Sequence, residues 1–227
     1  MPPLKESRRK RSTGRPRSEA ARLSILEAAY SFLKTKPVAS ISTVQIAGRA
    51  GVSTATMYRW WPTKEALLLD AFLSRTDDEL VLKAHGSPLD RLREYVLQAG
   101  RFFTGETGIV VARLLTAIQD NAILRKEFVE RVFAPRDAEI RKVVKEAIEK
   151  QQLPPGTEDS IFLDTIIGPL LVRLLLRHEH IDEPFVLSVF NRVVAGSIAQ
   201  NSPQIVRATE GLIQSRKRRP PSIDTSG

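Results

Sequence analysis

The segment STVQIAGRAGVSTATMYRWWPTK, at residues 42–64, limits what this chain can fold into more than any other. Ser42 or Thr43 can cap the start of a short helix, and Gly51 suits the left-handed conformation with which many helices end. Ser53 follows two residues later and can cap a second helix. Two helices joined by so short a turn cross steeply, so the segment predicts a helix-turn-helix unit.

Apolar spacing predicts a third helix that packs against these two. Between Ser18 and Pro37, apolar residues recur at steps of three and four, which is typical of an amphipathic helix. Ile46, Ala47 and Ala50 form the inward face of the helix that follows. The three helices together make a compact N-terminal unit.

The two tryptophans are adjacent in sequence and cannot share one face of a helix. Trp61 follows Met57 by four residues, so these two side chains are predicted to pack together in the core. Trp60 points about 100° away around the helix and is predicted to be the more exposed ring. It can contact another molecule or pack under the N-terminal segment, because an amphipathic ring suits either place. Pro62 ends the helix, and Thr63 caps the next one.

The remaining patterned segments are also helical, so the predicted fold class is all-α, with a three-helix helix-turn-helix head on a larger helical body. One helix is predicted to run from the LLLDAF segment to His85–Gly86, and the TGETG sequence is predicted to separate two others. Pro135 should kink or divide the long pattern of residues 121–153. The PPG sequence at 154–156 is a turn. The chain shows no β-alternation and no tandem repeat.

Positive charge is concentrated in the first quarter of the chain. Residues 1–64 hold thirteen Lys and Arg but three Asp and Glu, whereas residues 65–227 are nearly neutral. Such segregation favours binding to a polyanion, although short basic runs such as KESRRKR also occur in solubilising tails. We predict a disordered basic arm at residues 1–17 and a disordered basic tail at residues 214–227.

The composition excludes several classes of protein. The chain has no cysteine, which excludes disulfides, thiolate catalysis and cysteine-ligated metals. No apolar run reaches the ~18 residues of a membrane span, and the N-terminus lacks an apolar signal segment. These features favour a soluble cytoplasmic protein with no membrane partner.

The pattern STVQIAGRAGVSTATMYRWWPTKEALLLDAF, with the helix before it, resembles the tetracycline-repressor (TetR) family of bacterial transcription regulators. Similar proteins have an Ile-Ala-x-x-Ala-Gly-Val-Ser turn, then a Thr, an apolar residue and a Tyr, an aromatic pair and a Lys-Glu-x-Leu helix start. The resemblance covers residues 18–75 well and residues 165–185 faintly. The chain departs from the usual pattern in its two tryptophans and in Thr54–Ala55. The matching residues are Ile46, Ala47, Ala50, Gly51, Val52, Ser53, Thr56, Met57, Tyr58, Trp60, Trp61, Lys64, Glu65 and Leu67.

The resemblance implies that the second helix of the pair enters the major groove of DNA. Small side chains at its start allow close approach to the bases, and Tyr58 and Trp60 would contact phosphate and sugar. Helix starts at Thr43 and Lys64 suit a phosphate, and the arm would reach a minor groove. The predicted DNA-binding residues are Arg15, Arg17, Thr43, Ser53, Thr54, Ala55, Thr56, Tyr58, Arg59, Trp60 and Lys64.

Two late helices, near residues 158–179 and 184–200, are apolar on nearly every side. A helix of this kind must be covered all round. The pair can form the centre of a single-chain bundle or a four-helix interface with a second subunit. The resemblance implies the second arrangement, a homodimer. It divides the chain into a DNA-binding domain at 18–64 and an effector-binding and dimerisation domain at 65–213.

The resemblance also implies a small apolar or amphipathic effector, bound among the helices from Pro88 to Leu176. Arg113, Asp164 and Arg173 interrupt apolar helices there. They can meet a polar group on a ligand, pair internally, or extend their charged ends to solvent.

Histidine and acidic residues at 178–182 briefly resemble a metal cluster. His178 and His180 point apart on a helix, so we interpret them as a solvated helix end. We predict no metal, no cofactor and no catalytic residue.

The sequence therefore predicts a ligand-responsive regulator, usually a repressor in that family, that binds a palindromic double-stranded DNA operator as a dimer. Two recognition helices would grip half-sites about 34–36 Å apart. A helix-turn-helix adaptor or architectural protein without a small-molecule effector shares the same head and is the alternative. An all-α enzyme is a further one, but no nucleophile–base pair supports it.

Overall fold

The computed structural model describes residues 19–76 and 78–200; the predicted arm, with Arg15 and Arg17, and the predicted tail lie outside these ranges. Within them every regular element is helical and no strand occurs, which confirms the all-α prediction. A 3-10 turn occupies Val38–Ser40 and a π-helical turn occupies Val129–Phe133. The α-helices are α1 (Glu19–Thr35), α2 (Thr43–Ala50), α3 (Thr54–Tyr58), α4 (Lys64–Thr76), α5 (Pro88–Thr104), α6 (Glu106–Asp120), α7 (Ala122–Phe128), α8 (Ala134–Glu149), α9 (Asp159–Leu176) and α10 (Glu183–Gln200).

The turn between α2 and α3 forms as the sequence predicts. Ser42 is the N-cap of α2, and its side chain and that of Gln45 exchange hydrogen bonds with each other's backbone N–H groups. Gly51 ends the helix with a φ of 67°, a conformation that costs glycine no steric clash. The Val52 N–H then donates to the Ala47 carbonyl at 3.0 Å, which closes the turn tightly enough for α3 to start at Thr54.

The helix that the sequence predicts to run to His85–Gly86 ends instead at Thr76. The Thr76 hydroxyl donates to the Phe72 carbonyl, 3.1 Å away, and so satisfies one of the carbonyl groups at the helix end. Acidic residues such as Asp78 and Glu79 follow directly, and negative charge opposes the dipole at a helix C-terminus. The prediction of a longer helix was therefore wrong. It used only the spacing of apolar residues and did not take into account the acidic residues that follow Thr76.

The break between α5 and α6 is shorter than the TGETG sequence predicts. Helix α6 begins at Glu106 rather than at Ile109, and only Gly105 separates it from α5. The Gly108 Cα lies so near the preceding helix that an added Cβ would be 1.9 Å from the Phe103 carbonyl oxygen. Glycine at position 108 thus permits a close approach of α6 to the end of α5. The sequence pattern had predicted a loop at this point.

Pro135 divides the long segment after Asn121, as predicted. Helix α7 passes into the π-helical turn, and α8 starts with Pro135 in its first turn. Proline has no N–H to donate and is tolerated there because the first N–H groups of a helix lack intrahelical partners. The extra residue in the π-helical turn shifts the register of the side chains that follow.

One continuous apolar core joins the head to the body. Helix α4 packs on α1 of the head and on α7 of the body, so it belongs to both. Helix α5 lies at the centre of the body, against α6, α8, α9 and α10. No helix within the described ranges is both long and apolar enough to cross a membrane.

The two late apolar helices are covered on one side only. Helices α9 and α10 pack on each other and on α5, with their inward side chains buried. Leu176 of α9 is 70% exposed, and several other large apolar side chains share this outer surface. These further exposed residues are Ile161, Val172, Leu175 and Ile198. The single chain thus leaves an apolar surface on α9 and α10 uncovered.

Candidate nucleic-acid interface and ligand cavity

Helix α3 is a short helix whose start is fixed by hydroxyl groups. The Ser53 Oγ accepts the Thr56 N–H at 3.1 Å and lies 2.9 Å from the Thr56 Oγ1. Thr54 and Thr56 are half-buried, whereas Ala55 and Arg59 are exposed. The outer face of α3 therefore offers small side chains at its start and a cation at its end.

Tyr58 connects this face to the start of α2. Its hydroxyl donates to the Thr43 Oγ1 at 3.3 Å, and the side chain is 47% exposed. The contact brings two of the predicted DNA-binding residues together from positions fifteen residues apart. The helix N-terminus at Thr43 and the outer face of α3 thus form one continuous polar surface, which we call the recognition face (Thr43 and residues 53–59).

Lys64 lies at the inner edge of the head rather than on its outer face. Its ammonium donates to the Ile41 carbonyl at 3.2 Å and to the Val38 carbonyl at 3.5 Å, and the side chain is half-buried. An ammonium has three donors, so one of them is left for a phosphate. Lys64 therefore also stabilises the 3-10 turn that precedes α2.

The two tryptophans lie as their spacing predicts, in different surroundings. Trp61 is 4% exposed, packs with buried Met57 and donates its indole N–H to the Asp70 Oδ2 at 2.7 Å. Trp60 is half-buried, its ring centroid 6.1 Å from that of Trp61 and 6.0 Å from the Arg22 guanidinium carbon. Trp61 is confirmed as a core residue, whereas Trp60 is half-buried and packs against the edge of the core.

A polar relay leads from Trp61 into the body, and we define it as Trp61, Asp70 and Arg131. Asp70 of α4 accepts the Trp61 indole N–H through Oδ2 and the Arg131 guanidinium through Oδ1. Arg131, in the π-helical turn, also donates to the Glu127 Oε2 at 3.2 Å. Sequence reasoning did not identify this relay; its one signal is an acidic residue within the apolar LLLDAF segment of α4.

Arg113 makes a second connection between head and body. Its guanidinium donates to the Leu33 carbonyl, 2.6 Å away at the end of α1. Nearby, the Asn121 side-chain amide donates to the Glu65 carboxylate at the start of α4, at 3.1 Å. Arg113, one of the three predicted ligand residues, is thus internally paired.

The body contains a cavity of about 400 Å³ that is partly open to solvent. Its walls come from α4, α5, α6, α7, the π-helical turn, α8 and α9, and most of them are aliphatic or aromatic side chains. Phe72 on α4 and Val132 and Phe133 beside Arg131 line it, so the relay ends at the cavity wall. The polar residues that line it are Tyr95, Arg136, Asp137 and Asp164.

Two of the four polar lining residues are engaged within the protein. Asp137 accepts from the Arg141 Nε at 2.6 Å, and the Arg136 guanidinium donates to the Val132 carbonyl at 3.0 Å. Burial raises the pKa of the Tyr95 phenol, and the nearby Arg136 charge opposes this shift. Tyr95 therefore keeps its proton well into alkaline solution.

Of the predicted ligand residues, Asp164 lines the cavity, whereas Arg113 and Arg173 lie outside it. Arg173 stacks over the Phe185 ring, 3.3 Å from its centroid, and contacts the Glu179 carboxylate. The segment at residues 178–182 contributes to no cluster of three potential metal ligands, and the described part of the chain contains none.

Two family models match the chain. The model for bacterial regulatory proteins of the tetR family matches residues 25–71, and a tetracyclin repressor-like C-terminal domain model matches residues 82–193. An uncharacterized HTH-type transcriptional regulator, YdeS of Bacillus subtilis, is 32% identical over 192 residues, which cover 83% of this chain and 97% of YdeS. The chain belongs to the TetR family. It is a helix-turn-helix transcriptional regulator, and members of this family bind DNA operators as dimers and respond to small molecules.

Solved structures of TetR-family regulators share the fold. SCO0332 has a TM-score of 0.64 at 27% identity and covers 78% of this chain and 97% of its own. FadR of Bacillus subtilis, in complex with stearoyl-CoA, has a TM-score of 0.62 at 17% identity, over 77% of this chain and 98% of its own. At that identity FadR supports the fold alone.

Proposed function

We propose that this TetR-family regulator represses transcription as a cytoplasmic homodimer, and that a small apolar or amphipathic molecule in the cavity lowers its affinity for the operator. In this proposal residues 18–64 bind DNA, and residues 65–213 bind the effector and the second subunit. The observation that carries the proposal is a capped, outward-facing α3 joined through one helix to a largely apolar cavity.

The recognition face would supply the contacts to DNA. Its exposed residues are Ser53, Ala55, Tyr58 and Arg59, and methyl, hydroxyl and guanidinium groups suit base edges and phosphates in a major groove. Thr43 and Lys64 start helices, where N–H groups favour a phosphate. The proposed DNA-binding residues are Arg15, Arg17, Thr43, Ser53, Thr54, Ala55, Thr56, Tyr58, Arg59, Trp60 and Lys64.

A second subunit would cover the exposed apolar surface of α9 and α10. Large apolar patches on a soluble protein mark association sites, and a twofold arrangement lets the same two helices pack on their copies. The exposed Val172, Leu175 and Leu176 of α9 support this interface. The dimer would then present two recognition helices to two half-sites of a palindrome.

Helix α4 would transmit the state of the cavity to the head. Phe72 touches the cavity, whereas Asp70, two residues away, binds both Trp61 and Arg131. In this proposal α4 can take two positions relative to the head, and only one of them suits DNA binding. A ligand that binds the cavity more tightly in one position shifts the equilibrium towards it, and only such differential binding can change DNA affinity. The cavity favours this proposal over an adaptor without an effector.

The test is to select bound DNA from a random pool and to measure the affinity of the selected operator. We expect a palindromic sequence, bound by one dimer. Tyr58→Ala should weaken binding, whereas Tyr58→Phe, which keeps the ring, should separate the contribution of the hydroxyl. No sequence enrichment, or equal affinity of Tyr58→Ala and wild type, would contradict the proposal.

A further inference from the structure

The cavity is most accessible along the seam between α8 and α9. Among the lining residues that the structure describes, only Phe133 and Asp164 are exposed. Phe133 directly precedes α8 and Asp164 lies on α9, whereas Phe72 of α4 and Val96 of α5 are buried. The wall of the cavity is therefore thinnest at this seam and closed towards α4.

An ion-pair bridge fixes one end of the seam. Arg141 of α8 donates to the Asp137 Oδ2 at 2.6 Å and to the Asp159 Oδ1, at the start of α9, at 2.7 Å. The lining residues of the two helices lie past this bridge, before Arg141 in one helix and after Asp159 in the other. The bridge thus holds the helices together beside the accessible part of the seam.

Gly168 leaves space next to this opening. It lines the cavity one turn after Asp164, and an added Cβ would meet no heavy atom within 4 Å apart from its chain neighbours and its own helix backbone. Glycine in a helix interior is less favourable than alanine, and no packed neighbour requires it here. The position therefore keeps open a volume that a side chain would otherwise fill.

The polar and apolar parts of the lining are separated. Three of the four polar lining residues, Arg136, Asp137 and Asp164, belong to α8 and α9. Both signs of charge occur among them, so this rim does not select the charge of a ligand. In contrast, the lining residues of α4 and α6 are all aliphatic or aromatic. A molecule with one polar end and an apolar body matches this division.

We propose that the cavity takes an elongated amphipathic molecule with a single polar end, which enters apolar end first between α8 and α9 and lies across Gly168. The polar end, charged or neutral, stays at the rim, and the apolar end packs towards Phe72 of α4. The missing side chain of Gly168 determines how much of the ligand the cavity admits. This inference rests on the proposed role of the cavity as the effector site.

Two variants at position 168 test the path of the ligand. Gly168→Ala and Gly168→Leu add the same Cβ before Pro169 and so share any backbone strain, but only leucine fills the space in the cavity. Calorimetric titration of the full-length protein with decan-1-ol should give about tenfold weaker binding to Gly168→Leu than to Gly168→Ala, because leucine displaces about two methylene groups of the probe. Circular dichroism checks that both variants are folded. Equal affinities would overturn the proposed path.

A second probe tests the entrance in the wild-type protein and does not depend on a variant. Decyl maltoside, used below its micellar concentration, has the chain of decan-1-ol but a bulky disaccharide as its polar end. It should bind with comparable affinity and displace decan-1-ol, because the head remains outside the seam. Gly168→Leu should weaken its binding too, which binding to the exposed apolar surface of α9 and α10 would not show. If decan-1-ol binds and decyl maltoside does not, the site encloses its ligand and the proposed entrance is wrong.

The outcomes separate this inference from the proposed function. If either test fails while bound decan-1-ol still lowers operator affinity, the effector site stands and only the entry and position of the ligand are wrong. If both probes bind and depend on position 168 but leave operator affinity unchanged, the binding geometry stands and the effector role fails. If neither probe binds, the cavity is not a site for this class of molecule and this inference fails.

Discussion

The recognition face of the head and two polar groups of the cavity differ in how far the protein itself satisfies them. In the head, Ser53 caps α3, the Tyr58 hydroxyl donates to Thr43, and Lys64 donates to two carbonyl groups, so the recognition face is held by its own hydrogen bonds. In the body, Tyr95 and Asp164 line an apolar cavity and have no such partner within the described residues. A fixed geometry suits the proposed reading of DNA by the recognition face, whereas a cavity proposed to bind an effector can leave polar groups for its ligand.

The largest expected effect separates the two tryptophans of the head. Trp61→Ala removes a 4%-exposed core side chain and should reduce the free energy of unfolding by about 3–5 kcal/mol. Trp60→Ala, at the half-buried neighbouring position, should reduce the free energy of unfolding by clearly less. Chemical denaturation followed by circular dichroism measures both. Equal losses would mean that packing does not distinguish the positions of Trp60 and Trp61, contrary to the structure.

The relay between head and body should give the next largest effect. Asp70→Asn removes the charge that pairs with Arg131 and should reduce the free energy of unfolding by about 1–3 kcal/mol. Asp120→Asn, at an exposed position on α6, is the matched control and should change little. A double-mutant cycle with Trp61→Phe should give a coupling of about 0.5–3 kcal/mol, and additive losses would rule out a shared network.

A smaller effect is expected at the recognition face, where stability should not change but DNA binding should. Arg59→Ala removes an exposed cation from the end of α3. It should lower operator affinity and reduce the slope of log affinity against log salt by about 1, the value for one phosphate contact. Arg93→Ala, an exposed cation on α5, is the control and should leave the slope unchanged. Equal slopes for both variants would place Arg59 away from DNA.

The smallest effect concerns pH and the cavity. Burial raises the pKa of Tyr95 above its usual value of about 10, so the folded state holds this proton more tightly than the unfolded state does. The resulting stability is fully present below pH 10 and is lost as the pH rises through the higher folded value. Tyrosinate absorbance should therefore show a late-titrating phenol that is missing in Tyr95→Phe. An unchanged late component in the variant would contradict the assignment.

The sequence was sufficient wherever a feature depends on nearby residues. Ser42, Gly51 and Ser53 determine the turn between α2 and α3 through hydrogen bonds that span three to five residues, and Met57 and Trp61 follow helical spacing. These signals predicted the head and the fold class correctly. The uncovered surface of α9 and α10 was also visible as an excess of apolar residues.

Features that depend on distant residues could not be predicted in this way. Asp70 and Arg131 are sixty-one positions apart, and Arg113 reaches a carbonyl eighty positions away. Periodicity does not say which distant partner a charged side chain will meet, so Arg113 and Arg173 were considered as ligand residues together with Asp164. The early end of α4 has the same cause, since local capping and charge outweigh an apolar pattern.

The central claim is that the recognition face and the cavity wall are coupled through α4. Hydrogen exchange measured with and without the selected operator tests it most directly and needs no effector. Operator binding should change exchange at residues 129–136, next to the cavity, as well as in α2 and α3, and Asp70→Asn should lose the distant change while keeping the change in the head. Exchange that changes only in the head of the wild-type protein would contradict the claim.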